Sequence, residues 1–301
     1  MTFDYSGVVP DLQLNAHRRR ATYHGAVVLR RKQPVSGYIH PRANRSGNHA
    51  CGLEIADEAT PNYHRWITEL CRPYLGDRVL EIGAGYGAVT RFLSQGVPDY
   101  VATDTAPECL TALESRFGQS SNVRVRKFDV LADELDGEFD SIVMINVLEH
   151  LRDDSGTLAA LSTHLASSGR LIIYVPAFNY LYGDWDHMVG HFRRYSRSQL
   201  EHVMRGAGLT VVESRYANLV AIPAWFAFSR LGIRLKKKPD AEFGRDLRIW
   251  DNTAVPITRW VETRVRPPIG LNVLGVAVGR RRESKAKTKD SSSKVTVPSV
   301  A

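Results

Sequence analysis

Val79-Leu80-Glu81-Ile82-Gly83-Ala84-Gly85-Tyr86-Gly87 is the stretch on which the fold turns. Val79 to Ile82 reads as a short apolar strand, three glycines follow, and Ala88 to Gln95 reads as a helix. Glycine is required where a backbone turns tightly, and where it must approach a ligand with no Cβ in the way. A turn of this kind at a strand's carboxyl end, beside a helix N-terminus, is where open α/β sheets bind nucleosides. The spacing is GxGxG, so the GxGxxG pyrophosphate fingerprint is missing. Glu81, two positions before Gly83, is a poor neighbour for a pyrophosphate and a tolerable one for a sulfonium cation.

Outward from this turn the chain alternates. Tyr100 to Thr103 and Val123 to Phe128 read as strands, with a helix from Pro107 to Phe117 between them. Ser141 to Ile145 is a continuous apolar strand, as burial on both faces demands. A helix from Asp154 to Leu165, with Gly169 past its end, leads to a strand from Arg170 to Val175. Leu209 to Tyr216 and Leu271 to Val278 are later strands, separated by a long, partly helical stretch. Strands alternating with helices imply a parallel sheet with right-handed crossovers. Asp104 ends the second strand about twenty residues past the glycines, where a carboxylate can accept both ribose hydroxyls. Asp129 closes the third, placed to accept from an adenine amino group while Val130 packs on the ring. Either aspartate alone would read as a cap or turn residue; the ordered set reads as a nucleoside site.

With these residues in view, residues 75–176 resemble a class I S-adenosylmethionine-dependent methyltransferase. The matching motifs are Glu81 to Gly87, Asp104, Phe128-Asp129-Val130 and Asn146-Val147-Leu148-Glu149-His150. The resemblance implies a Rossmann-like α/β fold, a seven-stranded, mostly parallel sheet of order 3-2-1-4-5-7-6 with the last strand antiparallel. Helices cover both faces, and a helical insertion (about 217–268) separates the last two strands. It implies S-adenosyl-L-methionine as cofactor, its methionine part at Gly83, Ala84, Gly85 and Gly87. Asp104, with Thr105 beside it, would take the ribose, Asp129 and Val130 the adenine, and the Asn146 backbone would lie near the sulfonium. Asn62-Tyr63-His64-Arg65-Trp66 resembles a short helix that closes over the cofactor, with Tyr63 or Arg65 at its carboxylate.

Methyl transfer is an in-line displacement, so the enzyme chiefly aligns donor with acceptor and excludes water. Acceptor contacts are expected after the fourth and fifth strands. After the fifth comes Tyr180, Tyr182, Asp184, Trp185, Asp186, His187 and then Gly190-His191-Phe192-Arg193-Arg194-Tyr195. This run resembles the D-x-x-x-G-H-x-R-R-Y pattern of a bacterial subgroup of the same family. His191, His187, His150 and Asp184 are the candidates for acid–base work. The structural alternative carries equal weight: Arg193 and Arg194 pair with Asp184 and Asp186 to lock the loop, and Tyr195-Ser196 cap a helix from Arg197 to Gly206. A metal site from His187, His191 and Asp184 is disfavoured, because the segment does not read as a helix, and no metal is expected.

The remaining composition narrows the class. Of 301 residues, 43% are hydrophobic, enough for one large α/β domain. That domain is placed at 51–282, after a basic, partly ordered extension over 1–50 and before a disordered basic tail over 283–301. The net charge of +8 is concentrated at the ends, where basic runs are usually solvated. Cys51, Cys71 and Cys109 form no CxxC pair, which fits a reduced cytosol. No leader is read at the N-terminus, and Ala217 to Ile233, the longest apolar stretch, is broken by Asn218, Pro223, Ser229 and Arg230. Its Trp225, Phe226 and Phe228, followed by Arg234 and Lys236 to Lys238, read as a core-packed helix, as a lid over a lipophilic acceptor, or as a peripheral contact with anionic lipid. The expectation is therefore a cytoplasmic, optionally membrane-peripheral enzyme with a small-molecule or lipophilic acceptor. A non-catalytic S-adenosylmethionine-binding partner is the alternative. A nucleic-acid substrate is disfavoured, since Asn146-Val147-Leu148-Glu149 replaces the Asn/Asp-Pro-Pro-aromatic motif.

Overall fold

The computed structural model describes residues 48–230 and 240–279. The extension expected over 1–50 (apart from its last three residues), the tail over 283–301 and the basic flank at Arg234 and Lys236 to Lys238 lie outside the described residues.

The apolar runs build a seven-stranded sheet of order β3-β2-β1-β4-β5-β7-β6. The strands are β1 (Arg78–Ile82), β2 (Asp99–Asp104), β3 (Val123–Lys127), β4 (Phe139–Ile145), β5 (Leu165–Pro176), β6 (Thr210–Ala217) and β7 (Asn272–Val278). The first five are parallel, and β7 runs antiparallel to both β5 and β6. Side chains alternate across the pleat, so each central strand supplies both faces. On β5, Leu171, Ile173 and Val175 enter one apolar cluster with Leu158, Leu161, Leu200 and Met204. Ile172 and Tyr174 enter the opposite cluster with Trp66, Ile67, Leu93, Leu113 and Val255. Thus α5 (Asp154–Ser162) and α7 (Arg197–Gly206) cover one face. Helices α2 (Pro61–Cys71), α3 (Thr90–Leu93), α4 (Pro107–Phe117) and α9 (Asp240–Glu262) cover the other. Helix α1 (Asn48–Ala59) precedes α2, α6 (Asp184–Val189) follows β5, and α8 (Ala221–Arg230) joins α9 in the expected insertion between β6 and β7.

Three local expectations are adjusted. The helix expected over 88–95 is regular only over Thr90–Leu93, because Gly87 enters it at φ +82° and the first turns tighten on Val89 O. Helix α5 ends at Ser162 rather than Leu165: the Thr163 hydroxyl turns back onto Ala160 O, and Phe139 N–H captures His164 O, drawing Leu165 to Gly169 into β5 across an irregularity in the register. The segment after β5, not expected to be helical, forms α6: the Asp186 carboxylate accepts from Gly183 N–H (3.0 Å), and Gly190 at φ +81° ends it.

Helix α9 also fixes the entry to the domain. Asp251, 1% exposed, accepts from Asn62 N–H (3.0 Å) and Tyr63 N–H (2.8 Å), supplying the N-terminus of α2 with acceptors from another helix.

Candidate functional site

Parallel register brings the strand ends to one edge. Ile82 pairs with Thr103 and Met144, Asp104 with Lys127, and Ile145 with Tyr174. Gly83, Thr105, Phe128 and Asn146 therefore leave the sheet side by side. Gly83, Gly85 and Gly87 have φ of +68°, +58° and +82°. The outer two are also packed: a Cβ on Gly83 would lie 2.6 Å from Val147, and one on Gly87 2.6 Å from the Phe117 ring. At Gly85 it would meet nothing within 4 Å among the described residues, so this middle glycine presents bare backbone to open space. Ala84 is buried and anchors the turn by its N–H to Thr103 O (2.8 Å).

Asp104 is the clamp of this edge. One carboxylate oxygen accepts from Gly85 N–H (2.9 Å), the other from Thr105 N–H (2.7 Å) and Ala106 N–H (2.9 Å). Asp129 lies next along, joined to Asp104 through Phe128 N–H to Asp104 O (3.2 Å). Its carboxylate accepts from Leu131 N–H (2.9 Å), and Val130 is half-buried on the apolar cluster. Glu81 does not face the open side: its carboxyl lies beneath the turn and accepts from Thr90 (2.6 Å) and Tyr100 (2.8 Å). Burial pushes it up to about 7, against the pull of those two hydrogen bonds. Asn146 is exposed in the left-handed region (φ +52°), its N–H held by Tyr174 O (2.8 Å). Tyr63 reaches the same end from α2, its hydroxyl 3.5 Å from that of Tyr174 and its ring edge-on to Trp250. Arg65 is exposed and lies over Phe92 instead.

The acceptor-side candidates separate into two groups. His191 and His150 stand together, rings edge-on at 4.7 Å. His187 and Asp184 are exposed on α6, with His187 against Tyr182. Behind His191 is a buried network. Its Nδ1 contacts Asp186 Oδ1 at 2.7 Å, and the same oxygen accepts from Arg194 Nε (2.8 Å). Arg194 is itself enclosed, stacked on Trp225. Burial alone would raise the Asp186 carboxyl, but the His191 hydrogen bond and Arg194 hold it below its ordinary value. In front of His191 is Glu149, fully buried, Oε1 at 3.8 Å from Nε2. Burial pushes the Glu149 carboxyl up to about 7, against the opposing charges of His191 and Arg194. The expected Arg194–Asp186 lock is present, whereas Arg193 pairs with Asp154 (2.7 Å) rather than Asp184, reaching across to α5. Tyr195 donates to the same carboxylate (3.0 Å), and Ser196 caps α7 reciprocally with Gln199.

Asp186 appears in the motif only as a loop lock and Glu149 only as a motif member. Their meeting on His191 joins residues from two separate loops, so no local signal announces it. Asp251, which seats the helix carrying Tyr63, has no sequence signal at all.

The methyltransferase-domain family matches residues 48–214. A ubiquinone biosynthesis O-methyltransferase of Xanthomonas euvesicatoria is 32% identical over 103 residues, which is 33% of this chain and 42% of that protein. The chain thus spans about two-fifths of the length of that curated relative. Phosphoethanolamine N-methyltransferase 2 of Haemonchus contortus, solved with S-adenosyl-L-methionine, superposes at a TM-score of 0.56 with 15% identity, over 79% of this chain and 59% of that one. A chain of the Haloferax volcanii complex between the Trm112 methyltransferase activator and a methyltransferase superposes at 0.51 with 17% identity, over 76% and 95%. These two solved structures share the fold.

Proposed function

The chain belongs to the methyltransferase-domain family and is an S-adenosylmethionine-dependent methyltransferase, and from that premise we propose that it methylates a small or lipophilic acceptor received beside Glu149 and His191. The carrying observation is the sheet edge itself: the bare backbone at Gly85, with Asp104 and Asp129 one strand apart, fits an adenosyl group. Gly83, Ala84, Gly85 and Gly87 would hold the methionine portion, Asp104 with Thr105 the ribose, and Asp129 with Val130 the adenine. Tyr63 would close over it from α2, and the Asn146 backbone would border the sulfonium. When bound, the cofactor supplies an electrophilic methyl group on a charged sulfur. The chain's part is to align the acceptor, exclude water and orient polar groups toward it.

Asp186 fixes the orientation of the His191 ring and leaves Nε2 turned toward Glu149, and this pair would form the polar end of an acceptor pocket. His150 flanks this pair, while Asp184 and His187 would meet the acceptor at the rim. The partial match to an O-methyltransferase supports a hydroxyl-bearing acceptor. Among the described residues no helix is long and apolar enough to cross a membrane.

The test has two stages. Calorimetry with S-adenosylhomocysteine and with NADH should show binding of the first alone; the reverse would overturn the pocket reading. Labelled S-adenosylmethionine incubated with metabolite and lipid extracts should then label a small organic product, identified by mass analysis. Label found only in nucleic acid would overturn the acceptor class.

A further inference from the structure

Glu149 is fully buried, yet among the described residues neither of its carboxyl oxygens finds a hydrogen-bond partner. An unpaired buried carboxylate is costly and persists only if something compensates it. Its surroundings indicate what. Glu149, His150 and His191 each offer one ligand-type atom, all within 4.8 Å of one another, and the Glu149–His191 pair is already at 3.8 Å. His191 is set as a metal-binding histidine is set, with Nδ1 fixed by the Asp186 carboxylate and Nε2 left facing Glu149. Asp186 is in turn held by Arg194, so the supporting layer is complete without any added group.

We propose that Glu149, His150 and His191 form a binding site for one divalent transition-metal ion. The donor set decides the class of ion. Two imidazoles and one carboxylate suit Zn²⁺, Fe²⁺ or Mn²⁺, whereas Ca²⁺ and Mg²⁺ demand oxygen cages that these residues do not supply. Metal–ligand bonds of about 2.0–2.2 Å require donor atoms about 3–4 Å apart, so closure needs movements below about 1 Å. Both histidines are partly accessible, which leaves a route for the ion and open coordination positions on the acceptor side. The residues are three of the acceptor-side group, and this consequence rests on the functional reading given above. A cation there selects an acceptor that presents an oxygen lone pair, and so favours O-methylation.

The test uses the full, tag-free chain stripped with a chelator and titrated with Co²⁺. We expect saturable uptake of one ion per chain, d–d absorption bands of a nitrogen–oxygen site, and paramagnetic broadening of the His150 and His191 imidazole resonances. Glu149→Gln and His191→Ala should each weaken uptake by at least about tenfold, and Asp186→Asn by about 10–100-fold through loss of ring orientation. His202→Ala, on the exposed face of α7, should leave uptake unchanged. Absence of saturable Co²⁺ binding by the wild-type chain overturns the proposal whether or not the variants fold. So does uptake that Glu149→Gln and His191→Ala both leave intact. S-adenosylhomocysteine affinity measured on the same samples keeps the two readings apart: Co²⁺ bound without the nucleoside would refute the cofactor pocket and leave the metal site standing.

Discussion

Replacing Glu81 by Gln tests whether that carboxyl lies beneath the glycine turn or faces the cofactor. Glu81 is 3% exposed, with Oε2 receiving both the Thr90 and Tyr100 hydroxyls. Burial lifts it from its ordinary 4.5 to about 7, the two hydrogen bonds opposing this and Asp104 adding to it. A carboxyl raised on folding favours the protonated native state. Its contribution is fully present below the unfolded value of 4.5, is lost as pH rises toward about 7, and stays lost above that. At about 1.36 kcal/mol per unit the loss amounts to about 3 kcal/mol. Gln carries no charge at any pH and keeps an acceptor oxygen for both hydroxyls. The variant should match the wild type near about pH 4.5 and exceed it by up to about 3 kcal/mol above about pH 7.5. Urea unfolding followed by circular dichroism across this range reads the difference, with the slope of each transition checking that both proteins unfold alike. A difference independent of pH, or a variant less stable than wild type at about pH 8, would refute the argument. S-adenosylhomocysteine affinity should stay within about threefold, about 0.6 kcal/mol, since the carboxyl does not reach the open face.

Four further substitutions separate clamp, site and scaffold. Asp104→Ala removes the acceptor of three backbone N–H groups and should cost about 3 kcal/mol or more of stability along with at least about tenfold in S-adenosylhomocysteine affinity, read by thermal unfolding and calorimetry; unchanged binding in the folded variant would refute the ribose assignment. His191→Ala should destabilise by about 1–3 kcal/mol by removing the imidazole partner of Asp186 and leaving it Arg194 and the Gly183 N–H, whereas exposed His187→Ala should shift stability by under about 0.5 kcal/mol. Both should lower turnover with little change in cofactor affinity, and normal turnover in both would make these histidines structural. Asp251→Ala should cost about 1–2 kcal/mol by uncapping α2 and weaken cofactor binding through Tyr63; retained affinity would show that Tyr63 does not contribute.

What was legible in the chain was what is local. The strands follow from apolar runs spaced by helices, their order from what the family resemblance implies, and the glycines and aspartates each sit at the end of their own strand. The helix from Arg197 to Gly206 carries its own cap at Ser196 and is placed to the residue. The structure departs from the local pattern where a distant partner overrides it. Leu165 to Gly169 has no strand pattern, yet Phe139 draws it into the sheet. Residues 184–189 lack a long apolar period, and their helix closes on Asp186 and Gly190 instead.

The segment after β5 shows most directly why the meeting of its side chains is not legible in the sequence. Tyr195 N–H bonds Pro176 O (2.9 Å), Phe178 N–H bonds Tyr195 O (3.0 Å), and Phe192 N–H bonds Glu149 O (2.8 Å). The segment carrying His191 is thereby stitched by backbone bonds to the end of β5 and to the turn that follows β4, and Tyr195 pairs in parallel with Ala177 just beyond β5. Backbone pairing of this kind is available to any side chain, so it leaves no mark in composition or spacing. It nevertheless sets His191 against Glu149 and Asp186 within a few ångströms, beside the sheet edge. The histidine-rich run supplies the candidate side chains, and the sheet edge determines which of them meet: His191 joins Glu149 and His150, while His187, four residues earlier, is exposed.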